Sequence, residues 1–225
     1  EKQKLVKEGK LKKFALSDSV IYKGDDNKYY EQVGKSDKEI TEEIAFDLPN
    51  GWSWCRLKDI CSIFTGATFK KEETVTTKEG VRILRGGNIS PFELRIKDDD
   101  IFLTKDKVKE DIILKENDIL TPAVTSLENI GKMVRVNSDM PNTTVGGFVF
   151  IIRLYLKNQW LSKYILYLLS SPFMIDFMKS ITNKSGQAFY NIGKERLSTA
   201  LLPIPSLAEQ HRIVAQIEKL FEQLR

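Results

Sequence analysis

Apolar residues recur at two different periods along this chain, and the change of period divides it. From Ile63 to Leu156 the texture is short runs rich in Val, Ile and Phe, broken by Gly, Pro, Asn and Asp. That pattern predicts strands joined by turns. Val81 and Ile83 alternate with polar neighbours ahead of a Gly86-Gly87 turn. "NDILTPAV" holds another short strand, which Pro122 must end or place at an edge because proline has no N–H to donate. "GKMVRV" and "GGFVFIIRL" predict two more. Then the spacing becomes helical. Trp160, Tyr164 and Leu168 repeat every four residues up to Ser171. Pro172 suits the first turn of a second helix capped by Ser171, with Phe173, Phe177, Met178 and Ile181 as its buried face. "STALLPIP" predicts a last strand.

The two ends read differently. Residues 1–13 predict a short basic helix ending at Gly9, and residues 14–46 an irregular polar arm. "LPNGWSWCRLKDI" opens a compact domain with a turn at Pro49 to Gly51, a strand carrying Trp52 and Trp54, and a short helix from Leu57. At the other end Pro203 and Pro205 enforce extended backbone. Ser206 and Glu209 then form an S-x-x-E helix start, in which the Glu209 side chain is expected to reach back to the Ser206 amide. Ile213, Ile217, Leu220 and Leu224 follow at steps of four, three and four, which is a coiled-coil seam, and Val214 and Phe221 widen it. Such a face requires a partner: its own domain, or another helix.

Composition narrows the class. With 41% hydrophobic and 29% charged residues, the chain has the make-up of an ordinary globular protein. The longest apolar runs are too short to span a bilayer. Cys55 and Cys61 stand without a second pair, and His211 is the one histidine, so a four-ligand zinc site is not expected. Both cysteines read as free thiols in a reducing cytoplasm. Charge is uneven: residues 1–13 carry +4, residues 14–139 carry −5, and residues 140–194 carry +5 with Asp176 as their single acid. The last of these offers a polyanion-facing stretch, unless folding scatters its charges. No G-x-G-x-x-G, Walker lysine loop or G-x-S-x-G elbow occurs. Nothing in the sequence calls for an active site.

The loop from Thr182 to Gly193 holds Asn183, Lys184, Ser185, Gly186, Gln187, Phe189, Tyr190 and Asn191. Lysine neutralises phosphate, amides pair with adenine edges, and aromatics stack or wedge. The alternative is a polar loop with one buried aromatic. "GATFKKEE", "RGGNIS" and "TSLENIGK" likewise join small residues to hydrogen-bonding side chains at strand ends.

In order, "LPNGWSWCRLKDI", "FTGATF", "RGGNI", "ENDIL" and "SGQAFYNIGKERLSTALLPIPSLAEQHRIVAQIEKL" resemble the specificity subunit of type I restriction–modification systems, over roughly Leu48 to Leu224. The resemblance implies an α+β fold with a curved, mainly antiparallel sheet, packed helices and a C-terminal coiled-coil-type helix. It implies a basic arm and linker at 1–46, a DNA target-recognition domain at 47–205, and the start of a spacer helix at 206–225. It implies a non-catalytic cytoplasmic protein that reads one half of a split target in double-stranded DNA. Adenine methyltransferase subunits would carry the S-adenosylmethionine, a nuclease and translocase subunit would join them, and a second specificity half would lie in cis or in a homodimer. The alternative is an assembly scaffold with little readout of its own. The candidate DNA contacts are Thr68, Phe69, Lys70, Lys71, Arg85, Asn88, Thr125, Ser126, Asn129, Lys184, Ser185, Gln187, Tyr190 and Asn191. Ile213, Ile217, Leu220, Phe221 and Leu224 would pair the helix.

Overall fold

Strand pairing in the computed structural model, which describes residues 2–9, 19–76, 78–185 and 188–224, is almost wholly antiparallel. The α+β expectation holds, with the described strands divided among several small sheets. The chain forms two compact units, one of residues 1–61 with 198–225 and one of residues 62–197.

In the first unit, α1 (Lys2–Lys7) is followed by Gly9 at φ 70°. The irregular arm expected over 14–46 is corrected from Ser19 onward. β1 (Ser19–Lys23), β2 (Tyr29–Val33) and β3 (Ser36–Glu39) form an antiparallel meander. Its strands are polar, so apolar alternation does not reveal them. Cross-strand pairs hold them instead: Tyr22 stacks on Tyr30 at 5.8 Å, directly opposite it in register.

β4 (Ser53–Arg56) follows the predicted turn, where Gly51 has φ 83° and the Trp52 amide donates to the Pro49 carbonyl. α2 (Leu57–Ile60) comes next. β4 pairs antiparallel with β17 (Leu201–Ile204), which places Trp54 opposite Pro203. Proline is tolerated in this two-stranded pairing because its nitrogen is not needed as a donor. Arg56 is buried and donates to Glu31 at 2.7 Å, to Glu43 at 2.7 Å and to the Thr199 carbonyl. α6 (Leu207–Gln223) starts where Ser206 Oγ accepts from the Glu209 amide. The Glu209 carboxylate does not complete the expected box but is gripped by Arg212 at 2.6 and 2.8 Å. Val214 and Gln210 of α6 are buried, and Ile213 and Ile217 half-buried. Beyond them Leu220, Phe221 and Leu224 are exposed, Leu224 at 83%.

The second unit begins with β5 (Cys61–Thr65), the edge of a four-stranded sheet. Its other members are β10 (Ile119–Pro122), β12 (Val134–Arg135) and β14 (Val149–Leu154), in the order β12-β10-β14-β5. Pro122 ends β10, as its missing donor requires. A second sheet places β6 (Val81–Leu84) between β9 (Ile101–Leu103), antiparallel, and β13 (Thr143–Val145), parallel. β7 (Ile89–Ser90) and β8 (Glu93–Leu94) make a small hairpin. Leu84, Leu120, Val145, Val149 and Ile151 from these sheets form the main core. Under it Arg153 grips the buried Asp118 at 2.7 and 2.8 Å.

α3 (Gln159–Leu169) is capped by Asn158, and α4 (Pro172–Ser180) by Ser171 with Pro172 in its first turn. The buried face expected of α4 holds at Met178 and in part at Phe177 and Ile181, and fails at Phe173. Met174 and Met178 are buried, whereas Phe173 is exposed. Burial of each methionine contributes about 1.5–3 kcal/mol. Gly131 accounts for part of this seat: it has φ 87°, and a side chain there would collide with Ile175 of α4.

Candidate nucleic-acid interface

Four polar stretches, far apart in sequence, are stitched together at one edge of the second unit by backbone hydrogen bonds. The Ala67 amide donates to the Val145 carbonyl at 2.8 Å, and the Gly146 amide to the Leu84 carbonyl at 2.8 Å. The Ala123 amide donates to the Phe148 carbonyl at 2.8 Å, and the Ile192 amide to the Ala123 carbonyl at 2.9 Å. The loop after β5, the Arg85–Asn88 turn, the turn between β13 and β14, and the loop around Ala123 therefore meet. Gly66 makes the first of these approaches feasible, since a side chain there would strike the Val145 carbonyl.

The third sheet of this unit joins two of the candidate stretches. β11 (Val124–Thr125) pairs with β16 (Phe189–Ile192), which pairs with β15 (Thr182–Ser185). Thr125, Tyr190 and Lys184 stand in one cross-strand row, and Val124, Asn191 and Asn183 in the next. Directly opposed residues share a face and successive rows alternate. One face carries Thr125, Tyr190 and Lys184 together with buried Ile192. The other carries Asn183, Asn191 and Phe189, all exposed.

The candidate residues sort by exposure. Thr68, Lys70, Lys71, Arg85, Lys184 and Asn191 are exposed, and Ser126, Asn129 and Tyr190 are half-buried. Phe69 is partly buried against the cluster of Ala67, Val81, Ile83 and Leu103, so its ring packs inward. Thr125 is buried. Gln187 lies outside the described residues, and Ser185 is described as backbone of β15. Ser126 Oγ accepts from Asn129 Nδ2 at 2.8 Å, which holds that short turn together.

Asn88 is withdrawn as a base reader. It is 1% exposed, and its amide is fully used: Oδ1 accepts from the Arg85 amide at 2.8 Å, while Nδ2 donates to the Arg95 carbonyl and to Asp100 at 2.6 Å. Asp100 in turn accepts from the Lys97 amide and Arg82. Burial pushes the Asp100 carboxyl up, but these donors outweigh it and hold the group below the usual carboxylate range. Asn88 thus shapes the turn that presents Arg85. Arg85 itself points outward and meets exposed Asp99 at 3.5 Å, a contact that costs little to exchange for a phosphate. The Glu73 carboxylate accepts from the Lys70 amide at 2.7 Å and pairs with Lys107 at 3.2 Å. The Lys70 amide, and then Lys107, hold it below its ordinary value.

Three exposed residues of this edge escape the sequence-based list. Asn183 faces Asn191. Phe189 is 56% exposed, and Phe148 is 73% exposed. For Asn183 and Phe189 the signal was present in the composition of their loop. Phe148 was hidden within the apolar run "GGFVFIIRL".

The sequence model of the type I restriction modification DNA specificity domain matches residues 49–225. The chain belongs to that family. It is 29% identical over 240 residues to the type I restriction enzyme EcoAI specificity subunit of Escherichia coli, covering 99% of this chain and 34% of that protein. It is 24% identical over 225 residues to the EcoEI specificity subunit of Escherichia coli, with the same coverage. The chain thus spans about a third of the length of these two relatives. Among solved structures, a chain of a type I R-M system superposes with a TM-score of 0.58 at 21% identity, covering 80% of this chain and 40% of that one. The HsdS subunit from Thermoanaerobacter tengcongensis gives 0.54 at 23% identity, covering 80% and 39%. These superpositions show the shared fold. Among the described residues there is no helix long and apolar enough to cross a membrane, and no cluster of three or more His, Cys, Asp or Glu placed to hold a metal.

Proposed function

We propose that this specificity domain is a non-catalytic reader of duplex DNA. It recognises one half of a bipartite target in the cytoplasm and directs partner subunits to it. Those partners are adenine methyltransferase subunits, which bind S-adenosylmethionine and perform the covalent step, and a nuclease and translocase subunit. The observation that carries the reading is the convergence, in a chain of this family, of four loops and the β15–β16 pair on one edge, with Thr68, Lys70, Lys71, Arg85, Lys184 and Asn191 exposed. Lysines and Arg85 meet phosphates, and the asparagine amides read base edges in the groove. The exposed seam at Leu220, Phe221 and Leu224 supports pairing of α6 with the equivalent helix of a second specificity half, in cis or in a second copy.

The test is an exchange of residues 48–205 in the full-length parent subunit for the matching part of a relative with another target. Methylated adenines are then mapped in cells carrying the assembled complex. The expected result is a methylation pattern with one half-site replaced. An unchanged pattern from an active hybrid would show that base choice resides elsewhere.

A further inference from the structure

Phe148 is held out into solvent by a frame that leaves its turn little freedom. Val145 and Val149 on either side are fully buried in the main core. The Phe148 carbonyl accepts from Ala123, the Val149 amide donates to Gly146, and Gly146 donates to Leu84. A loosely tethered aromatic would fold back on neighbouring apolar surface. This one is pinned outward at 73% exposure.

Its surroundings describe what it meets. Gly146 and Gly147 precede it, and Gly86-Gly87 lies beyond the Leu84 carbonyl that the Gly146 amide engages. These glycines let the turn that carries the ring pack closely on its neighbours. Thr68 Oγ1 lies against Gly147, and the Lys97 ammonium lies beside Gly87. Arg85 flanks the same turn, with Asp99 as its exposed counter-charge. Two backbone hydrogen bonds away, through Ala123, stands the β16 strand with Asn191. An aromatic post among cations and amides matches stacked bases between phosphates. Apolar wedges of this type press between base steps and open them.

We propose that Phe148 is a specificity-determining wedge that packs against a base step of the target duplex. This rests on the DNA-recognition reading above. It adds a contact that is neither a phosphate clamp nor a hydrogen-bonded base edge. Selectivity would follow from how easily each step deforms, greatest for pyrimidine–purine steps.

The experiment uses the full chain. Binding to a randomised duplex pool is followed by fluorescence anisotropy at low salt, and bound sequences are recovered and read. Wild type is compared with Phe148→Ala, Phe148→Leu, Phe148→Trp and, as an exposed aromatic of α4, Phe173→Ala. Thermal unfolding checks each variant, and little change is expected where the ring is already in water. The expected result is roughly ten-fold weaker binding for Phe148→Ala. Phe148→Leu should lose less and Phe173→Ala should match wild type. The Phe148→Trp emission should change on saturation with duplex, and the sequences recovered with Phe148→Ala should lose their preference at one step. Wild-type binding with an unaltered Phe148→Ala affinity and sequence preference overturns the wedge but leaves DNA recognition standing. Unaltered DNA binding with loss of methyltransferase co-purification overturns it in favour of a protein contact. A wild-type chain that binds no duplex, alone or with methyltransferase subunits, overturns both.

Discussion

Asn191 on β16 stands directly opposite Asn183 on β15, and both are exposed on the face that also carries Phe189. Two amides on neighbouring strands present two donors and two acceptors each to whatever lies over the sheet. On the opposite face of the same sheet, Lys184 shares its row with Tyr190 and Thr125. On the proposed DNA-recognition reading, base reading falls to the two asparagines and phosphate contact to Lys184.

That assignment separates two outcomes. Asn183→Ala and Asn191→Ala should each cost about 1–3 kcal/mol of discrimination against the wrong base, with little change on non-target duplex. Lys184→Ala should weaken every sequence alike and reduce the slope of log K against log salt by about one. Titrations of target and scrambled duplex across salt concentrations measure both. Equal effects of all three on both duplexes would remove the division of labour.

Much of the fold was legible because hydrophobic period and turn chemistry agree along most of the chain. Ser171 and Pro172 start α4, Ser206 starts α6, and Pro122 ends β10, each for a local steric or hydrogen-bonding reason. The meander of β1 to β3 was not legible. Its strands are held by tyrosine stacking and by the Glu31–Arg56 pair, and the partner Arg56 lies 25 residues away. At the candidate interface residue type alone did not separate readers from scaffolding. Asn88 and Asn191 are the same amino acid in similar Gly-rich surroundings, yet one is sealed beneath Arg95 and Asp100 and the other is exposed. That distinction depends on which strands pair, which is a long-range property.

Asn88 supplies a pH-dependent test of its positioning role. Asn88→Asp would set a second carboxylate where Nδ2 now meets Asp100 at 2.6 Å. Two carboxylates in one buried site raise the pKa of one of them. A raised folded-state value means that stability is lowest at neutral pH. It recovers as pH falls through that value toward the unfolded carboxylate pKa of about 3.9. Asn88→Ala should instead lose about 1–3 kcal/mol through unsatisfied buried groups, without this recovery. Urea unfolding of both variants between neutral and acid pH distinguishes them. Parallel curves would mean that the Asn88 site is open to water.

Arg56 carries the opposite sign in the wild type. Burial pushes the Glu31 and Glu43 carboxyls up, but the Arg56 guanidinium outweighs it at both, with help from Lys38 at Glu43, and holds them below the usual range. Their contribution to stability is present above the unfolded carboxylate pKa of about 4.3 and is lost as pH falls through the depressed folded values. Arg56→Met leaves Glu31 buried without its partner and should cost about 3–5 kcal/mol near neutral pH. The gap to wild type should close in acid, where the carboxyls are neutral in both proteins. A gap independent of pH would assign the loss to packing alone.

The half-turned burial of α6 yields the last prediction. Val214 is fully buried, so the helix is anchored to its own unit near its start. Leu220, Phe221 and Leu224 then continue the Ile213–Ile217 seam into solvent. On the proposed pairing of α6 with a second copy of this chain, these side chains form the contact. Symmetric pairing counts each substitution twice. Burying a leucine contributes about 1.5–3 kcal/mol, so Leu220→Asp should weaken association at least roughly 100-fold. Sedimentation velocity across a concentration series should show a rising mass for the wild type and a constant monomer mass for Leu220→Asp. Leu207→Asp, on an exposed position at the opposite end of α6, should behave as wild type. A wild-type chain that stays monomeric at high concentration would rule out self-pairing and leave the seam to the matching helix of a longer specificity subunit.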